Sequence, residues 1–231
     1  KRRKISFTIL TLCLIFSLTW LTFLRNETWR HPKTLWTESV ATNPDNYRAH
    51  YNLGLELVQE GELQRGRRHF KQALETWPNY VKARYNLGLA EQKLGDLDSA
   101  LRQYRRVLQQ QPRHVDARLN LSALLISQGK IRMAKDHLHK LLDVDSDNEQ
   151  ALLNLAVVCH SQGRVKKSLN LLEQVLKVDP KHFQAHLNKG IILLTQGRYH
   201  EAEKSLDRAL ELKPNDPKAR RMHMKALKMG W

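Results

Sequence analysis

Apolar residues recur at spacings of three and four along most of the 231-residue chain, as at Leu53 and Leu57. Side chains with this spacing lie on one face of an α-helix, so the pattern predicts a succession of amphipathic helices. The first predicted pair covers residues 49–60 and 62–76. Gly61 lies in the turn between them, where a positive φ angle costs glycine little.

The helical pattern repeats with a period of 34 residues. The triplet at 52–54 recurs at 86–88, 120–122, 154–156 and 188–190, with Asn first in every copy. Glycine keeps the same period at the turn between helices: Gly61, Gly95, Gly129, Gly163 and Gly197. A fixed period of this length is typical of stacked repeats, in which each helix pair buries its apolar face against its neighbours. We therefore predict five repeats, at 47–80, 81–114, 115–148, 149–182 and 183–216, and a capping helix at 217–231.

The repeat resembles a known family, the tetratricopeptide repeat, whose pattern is W-x2-L-G-x2-Y, then A-x3-F, then P. The second repeat matches this pattern at four positions and has a Tyr where the pattern has Phe: Leu87, Gly88, Ala100, Tyr104 and Pro112. No repeat has the leading Trp, and Ser122 and Ala156 replace the first Gly in the third and fourth repeats. The resemblance covers 47–216 and implies an all-α fold, a right-handed superhelix or solenoid.

The N-terminus carries a long uncharged segment. Four basic residues at 1–4 precede an apolar run at 5–24, which contains no charge. Twenty residues at 1.5 Å per residue span about 30 Å, the thickness of the bilayer hydrocarbon. A secretory signal peptide is the alternative, but the run is too long and no A-x-A-like cleavage site follows. We predict a single-pass transmembrane helix, with 1–4 cytoplasmic and the repeats in a bacterial periplasm or endoplasmic reticulum lumen.

Threonines form a stripe along one face of this predicted transmembrane helix: Thr8, Thr11, Thr19 and Thr22. Hydroxyl groups on one face can bind a neighbouring helix in the membrane. In the alternative interpretation, each hydroxyl bonds a carbonyl of its own helix. The stripe does not decide between a lateral transmembrane partner and this local role.

Residues 25–46 have the spacing of a degenerate opening half-repeat. Pro44 lies 34 residues before Pro78, and Trp36 lies 34 before Phe70. Pro32 is at the expected start of the helix, a position that proline favours. The predicted membrane helix would then join the repeats through a packed element and not a flexible linker.

The same stretch has a second resemblance. It carries Arg25, Asn26, Trp29 and Arg30, then Thr34, Leu35 and Trp36, then Asn43 and Pro44. This order is similar to the junction in multi-pass glycosyltransferases of the transmembrane O-mannosyltransferase type with C-terminal tetratricopeptide repeats. The acidic catalytic motif of that family would lie in an earlier loop, so the resemblance assigns no catalytic residue here.

The candidate binding residues form a column of asparagines: Asn52, Asn86, Asn120, Asn154 and Asn188. An amide group offers one acceptor and two donors, and can pair with peptide backbone whatever its sequence. In the superhelical repeats of the O-linked N-acetylglucosamine transferase, which these triplets resemble, such a ladder lines a concave groove. Tyr51 and Tyr85 would make this groove partly apolar. The alternative is that each Asn caps or bridges neighbouring helices.

The net charge of +16 at pH 7 favours acidic surfaces or anionic lipid as partners, and we expect no nucleic acid. Basic residues cluster on the second helix of the repeats, where a solvated outer face is the simpler explanation. Cys13 and Cys159 leave no disulfide framework to propose. His182 and His186 are four residues apart, but lack a third ligand at a matching offset, so no metal site is expected. No catalytic residue or cofactor is predicted either.

The sequence favours a membrane-anchored scaffold or adaptor subunit that binds a protein or peptide partner in its concave groove and helps assemble a membrane complex. Two alternatives stay open. The chain can be the C-terminal part of a multi-pass membrane glycosyltransferase that recruits acceptor protein. It can also be an extracytoplasmic chaperone for unfolded client segments.

Overall fold

The protein is described by a computed structural model over residues 12–23 and 31–230. Within these ranges the chain forms thirteen helices and no strand. They are α1 (12–23), α2 (Pro32–Thr42), α3 (Tyr47–Gln59), α4 (Leu63–Thr76), α5 (Val81–Lys93), α6 (Leu97–Gln110), α7 (Val115–Ser127), α8 (Ile131–Leu142), α9 (Glu149–Ser161), α10 (Val165–Val178), α11 (Phe183–Thr195), α12 (Tyr199–Leu212) and α13 (Pro217–Gly230).

Helices α3 to α12 form five packed pairs, each joined by a short turn around a glycine. These five glycines have φ angles between 70° and 84°, in the left-handed region. The Cβ of any other residue crowds the backbone there, so glycine ends the first helix of each pair at low cost. The repeat period in the sequence is therefore the spacing of one helix pair.

The first helix of the first repeat begins earlier than the predicted 49–60. The side chain of Asn46 accepts hydrogen bonds from the backbone N–H groups of Arg48 and Ala49, at 3.1 Å each. A side-chain cap satisfies N–H groups that the first helical turn leaves without a partner. Helix α3 consequently covers Tyr47–Gln59.

The helices group into two compact units, one ending at Pro112 and the other beginning at Arg113. In the first unit, Leu57, Phe70 and Tyr104 are almost fully buried between the helices of repeats 1 and 2. In the second unit, one cluster of buried residues includes Leu138, Leu155 and Leu172. A further cluster joins α11, α12 and α13 through residues such as Leu206 and Ala226.

Helix α2 packs against α3, as the interpretation of residues 25–46 as a half-repeat requires. The helix begins at Pro32. The ammonium group of Lys33 binds the carboxylates of Glu60 and Glu62, the latter at 3.0 Å, on either side of the Gly61 turn. Hydrogen bonds to Glu60 and then Glu62 raise the pKa of Lys33. These contacts hold the chain segment before the first repeat against that repeat.

The predicted transmembrane segment 5–24 lies only partly within the described residues. Residues 12–23 are helical and exposed throughout. Among the described residues, no helix combines the length and the apolar character that crossing a membrane requires. The transmembrane helix therefore stays a prediction.

Candidate peptide-binding surface on the first helices of the repeats

The five asparagines of the predicted column occupy equivalent places. Each is the sixth residue of the first helix of its repeat, on α3, α5, α7, α9 and α11. All five are partly exposed, so their amide groups reach solvent beside the buried seam. First helices of successive repeats contact each other within each unit: α3 with α5, and α9 with both α7 and α11. Each unit thus carries its own short ladder of amides.

In the first unit, the amide of Asn86 links the two repeats. Its Nδ2 donates to the hydroxyl oxygen of Tyr51 at 3.3 Å and to the carbonyl oxygen of Lys82 at 3.0 Å. This is the bridging role of the alternative interpretation. Asn52, one repeat earlier, makes no hydrogen bond to any described residue with its side chain.

In the second unit, two asparagines are held by a glutamine one turn earlier. Asn154 accepts a hydrogen bond from Gln150 at 3.3 Å, and Asn188 accepts one from Gln184 at 2.9 Å. These bonds use the amide oxygen, and within the described residues the Nδ2 donors of both have no partner. Donors oriented in this way suit the carbonyl oxygens of an extended peptide. Asn120 lies at the equivalent place on α7.

Four aromatic rings pack beside this ladder in the first unit, and sequence reasoning found only one of them, Tyr51. Tyr47 lies 4.6 Å from Trp77 and 5.2 Å from Tyr80, and Tyr51 lies 5.0 Å from Tyr80, all between ring centroids. Trp77 is 43% exposed. The other predicted aromatic, Tyr85, packs against Tyr104 at 6.0 Å.

The hydroxyl groups of Tyr51 and Tyr80 are partly enclosed in this aromatic cluster, and their pKa values are raised above the usual value. Burial raises the pKa of Tyr51, although its hydrogen bond with Asn86 opposes the shift. Burial, and then the neighbouring Tyr51 and Tyr47, raise the pKa of Tyr80. Neutral hydroxyl groups on an apolar ring surface can donate hydrogen bonds to a bound peptide while the rings pack against its side chains.

The position of the missing family Trp holds a side chain with a hydrogen-bonding nitrogen in every repeat except the fourth, which has Leu152. In repeats 1, 2 and 5 and in the capping helix α13, the side chain at this position hydrogen-bonds to the carbonyl oxygen of the proline six residues earlier. The pairs are His50 with Pro44 at 2.8 Å, Arg84 with Pro78, His186 with Pro180 at 3.0 Å, and Arg220 with Pro214 at 2.7 Å. These bonds fix the turn that enters each first helix. His186 therefore has a structural role. His182 also has one, because its side chain caps α11 by accepting a hydrogen bond from the backbone N–H of Ala185 at 3.3 Å.

The second helices carry exposed basic residues, as the sequence indicates. Lys71, Arg105 and Arg106 are exposed on α4 and α6. In the first unit, a cavity of about 310 Å³ is lined by residues that include Lys71, Arg84 and Arg106. Another cavity, of about 350 Å³, lies near the C-terminus. Burial, and then the charge of Arg106, lower the pKa of Arg84. Three basic side chains and one acidic side chain, Glu75, line the cavity in the first unit, so the charge of its lining is positive.

The threonine stripe is described only in part. Thr19 donates to the carbonyl oxygen of Ile15 at 2.6 Å, and Thr22 donates to that of Leu18 at 2.8 Å. Both hydroxyl groups thus bond their own helix, as in the local interpretation. Thr8 and Thr11 lie outside the described residues, and a lateral helix partner stays a prediction.

The chain belongs to the tetratricopeptide repeat family. Models of this family match residues 33–81, 51–91, 85–131 and 161–217, and a further one matches 125–176. The all-α fold implied by the sequence resemblance is confirmed, because solved tetratricopeptide structures superpose on most of the chain. No curated protein matches the sequence.

Three solved structures illustrate the likeness. YrrB, a tetratricopeptide protein with an unusual peptide-binding site, is 20% identical, with 84% of this chain and 97% of that chain covered and a TM-score of 0.64. TTC0263 of Thermus thermophilus is 23% identical, with 79% and 99% covered and a TM-score of 0.64. PilF of Pseudomonas aeruginosa is 18% identical, with 80% and 84% covered and a TM-score of 0.68. Identities at this level establish the fold alone.

The second resemblance, to glycosyltransferases at residues 25–46, finds no support in these comparisons and stays a prediction.

Proposed function

We propose that this protein is a membrane-anchored scaffold that holds an extended segment of a partner protein along the first helices of its repeats. The observation that carries the proposal is the partly exposed asparagine at one helical position in all five repeats, which gives each unit a short ladder of amides. Backbone recognition by such amides is independent of the partner's side chains. YrrB, a protein of the same fold, is described as having a peptide-binding site, and this likeness supports the proposal.

The aromatic cluster of Tyr47, Tyr51, Trp77 and Tyr80 extends this surface in the first unit. A partner segment with apolar side chains would pack against the exposed ring of Trp77 while its backbone meets the amide of Asn52. Aromatic residues dominate the binding energy of many interfaces because they bury a large area at a small cost in entropy. We expect the affinity to be concentrated in this part of the surface.

The anchor in this proposal is the apolar run at 5–24, with the basic residues at 1–4 on the cytoplasmic side. Helix α2 and its Lys33 contacts would then hold the first repeat near the membrane. The protein contributes binding and assembly, and we assign it no catalytic step. Acidic groups of the partner would meet the basic second helices.

Replacing Asn120 and Asn154 together by Ala tests the ladder. We expect the affinity for the partner that co-purifies from the native membrane to fall by about 5-fold to 150-fold, because two hydrogen bonds of about 0.5 to 1.5 kcal/mol each are lost. Titration calorimetry with the purified partner measures the change.

The matched control is Asn170→Ala, which removes an exposed amide from the second helix α10. It should leave the affinity unchanged, and all variants should melt at the temperature of the wild type. An affinity equal to that of the wild type in the double variant would reject the amide ladder as the binding surface.

A further inference from the structure

The last two helices bring together three potential metal ligands that the sequence pattern does not single out. Glu203 and Asp207 are four residues apart on α12 and share one face of that helix. His223 reaches them from α13, and one ligand atom from each of the three lies within 4.8 Å of the others. The Nε2 atom of His223 is 2.7 Å from Oδ1 of Asp207.

The contact between His223 and Asp207 explains only part of this arrangement. Glu203 adds a second carboxylate at the same place, and two carboxylates in proximity repel each other unless a cation lies between them. Helix α12 is also an acidic exception in a chain of net charge +16, with four acidic residues and two basic ones. A cation at this place would compensate the negative charge.

Two features make the place accessible and extend its ligand set. His200, one turn before Glu203, has its Nδ1 atom 3.5 Å from Oε2 of Glu203, and its side chain is 80% exposed. The cavity of about 350 Å³ beside the cluster is lined by His200, Glu203, Ala226, Leu227 and Gly230. An ion can therefore reach the carboxylates from solvent, and the His200 ring can rotate towards it.

We propose that Glu203, Asp207 and His223 form a binding site for Zn²⁺, with His200 or water as the fourth ligand. Imidazole nitrogen and carboxylate oxygen are ligands that Zn²⁺ accepts at about 2.0 to 2.2 Å. Bonds of that length separate tetrahedral ligand atoms by about 3.3 Å. The 2.7 Å contact between Asp207 and His223 would have to open to this distance, and separations of up to 4.8 Å would have to close to it. Rotation of the three partly exposed side chains would have to supply both changes.

The site would join α13 to α12 and so stabilise the C-terminal end of the repeats. Without the metal, α13 packs against the fold through the buried Ala219 and Ala226 and the partly buried Met222, together with the contact between His223 and Asp207. A metal bridge between two helices ties the terminal helix to the fold only when ligands from both are present. The bridge does not depend on the peptide-binding surface proposed for the first helices.

Zn²⁺ binding to the full-length, untagged protein tests the proposal. Titration calorimetry should give one ion per chain, and hydrogen exchange of the α13 amides should slow when Zn²⁺ is added. His223→Ala and Asp207→Asn should each weaken Zn²⁺ binding at least tenfold, and His200→Ala should weaken it less. Co²⁺ in place of Zn²⁺ should give the visible absorption of a tetrahedral complex.

The control is His139→Ala, which removes an exposed histidine on α8, outside the cluster. It should bind Zn²⁺ like the wild type. The proposal is overturned if the wild type binds no Zn²⁺ below about 1 mM, or if His223→Ala binds it as tightly as the wild type. It is equally overturned if Zn²⁺ leaves hydrogen exchange in α13 unchanged. Asp207→Asn keeps a hydrogen-bonding side chain of the same size, so it separates the loss of a ligand from a loss of folding.

Discussion

Glu91 is a carboxyl group enclosed within the first unit, and only 2% of it is exposed. It occupies the Tyr position of the family pattern in the second repeat. Burial raises the pKa of Glu91, the charge of Lys71 opposes this shift, and that of Asp96 adds to it. One of its oxygens, Oε2, has no hydrogen-bond partner among the described residues. An ionised carboxylate is expensive at such a place.

The consequence for stability is testable with Glu91→Gln. Because the folded-state pKa is raised above the usual 4.5, the folded protein binds more protons than the unfolded chain between these two values. The free energy of unfolding therefore falls as pH rises through this window. We expect Glu91→Gln to raise the melting temperature at pH 7 by a few degrees, with the difference disappearing as pH falls to about 4.5.

Circular dichroism melting curves between pH 4 and pH 8 measure this effect. The control is Glu75→Gln on the exposed side of α4, which should change the melting temperature little at any pH. A Glu91→Gln protein less stable than the wild type at pH 7 would show that the ionised carboxylate makes favourable interactions with Lys71 or Arg67.

The two helices of a repeat pack through paired side chains whose sizes compensate each other. A Cβ on Gly54 of α3 would lie 2.7 Å from Cε1 of Phe70 on α4, so glycine makes room for the ring. In the fourth repeat the equivalent pair is Ala156 and Leu172, both in the same buried cluster. Because protein interiors are close-packed, a larger side chain on one helix requires a smaller one opposite. Different repeats of this chain meet that requirement with different residue pairs.

Substitutions at this seam should therefore be strongly coupled. Gly54→Ala overpacks the seam and should cost about 1 to 3 kcal/mol, and Phe70→Leu leaves space and should also destabilise the protein. The double variant recreates the Ala–Leu pair of the fourth repeat. We expect it to lose much less stability than the sum of the single losses, measured by urea unfolding. Losses that simply add would mean that the two residues do not share one packing site.

The helices were predictable from the sequence because their signals are local. The apolar spacing, the turn glycines and the 34-residue period fix five helix pairs without knowledge of their packing. The start of α3 was predicted two residues late, because the cap at Asn46 depends on side-chain geometry. The position of every column asparagine on its helix also followed from the period.

The parts of the site that the sequence did not predict depend on contacts between distant residues. Trp77 and Tyr80 follow α4, about 30 residues after Tyr47, and reach it only because the repeat folds back on itself. The bond from Asn86 to Tyr51 likewise joins two repeats. The metal cluster was missed because His223 lies on a helix that was interpreted only as a solvated cap.

At the scale of the whole chain, basic residues are in excess on the second helices of the first four repeats, whereas α12 in the fifth repeat is acidic. Helix α4 carries four basic residues against one acidic one, whereas α3 carries one of each. Most first helices carry only one or two charged residues, with α5 as the exception, and so suit backbone recognition. The second helices suit acidic groups, either of a partner or of a membrane surface. This separation lets one chain use two surfaces with different chemistry.

The orientation that we propose for the chain rests on its charge pattern and can be measured with single cysteines. In a Cys13→Ser background, the remaining Cys159 is buried and shielded from reagents. We expect Lys140→Cys, exposed on α8, to react with an impermeant maleimide in sealed vesicles whose outer face is extracytoplasmic. Lys4→Cys should react only after the vesicles are opened, because basic residues before an apolar run stay in the cytoplasm. The reverse pattern would place the repeats in the cytoplasm, and release of the protein by an alkaline wash would reject the anchor.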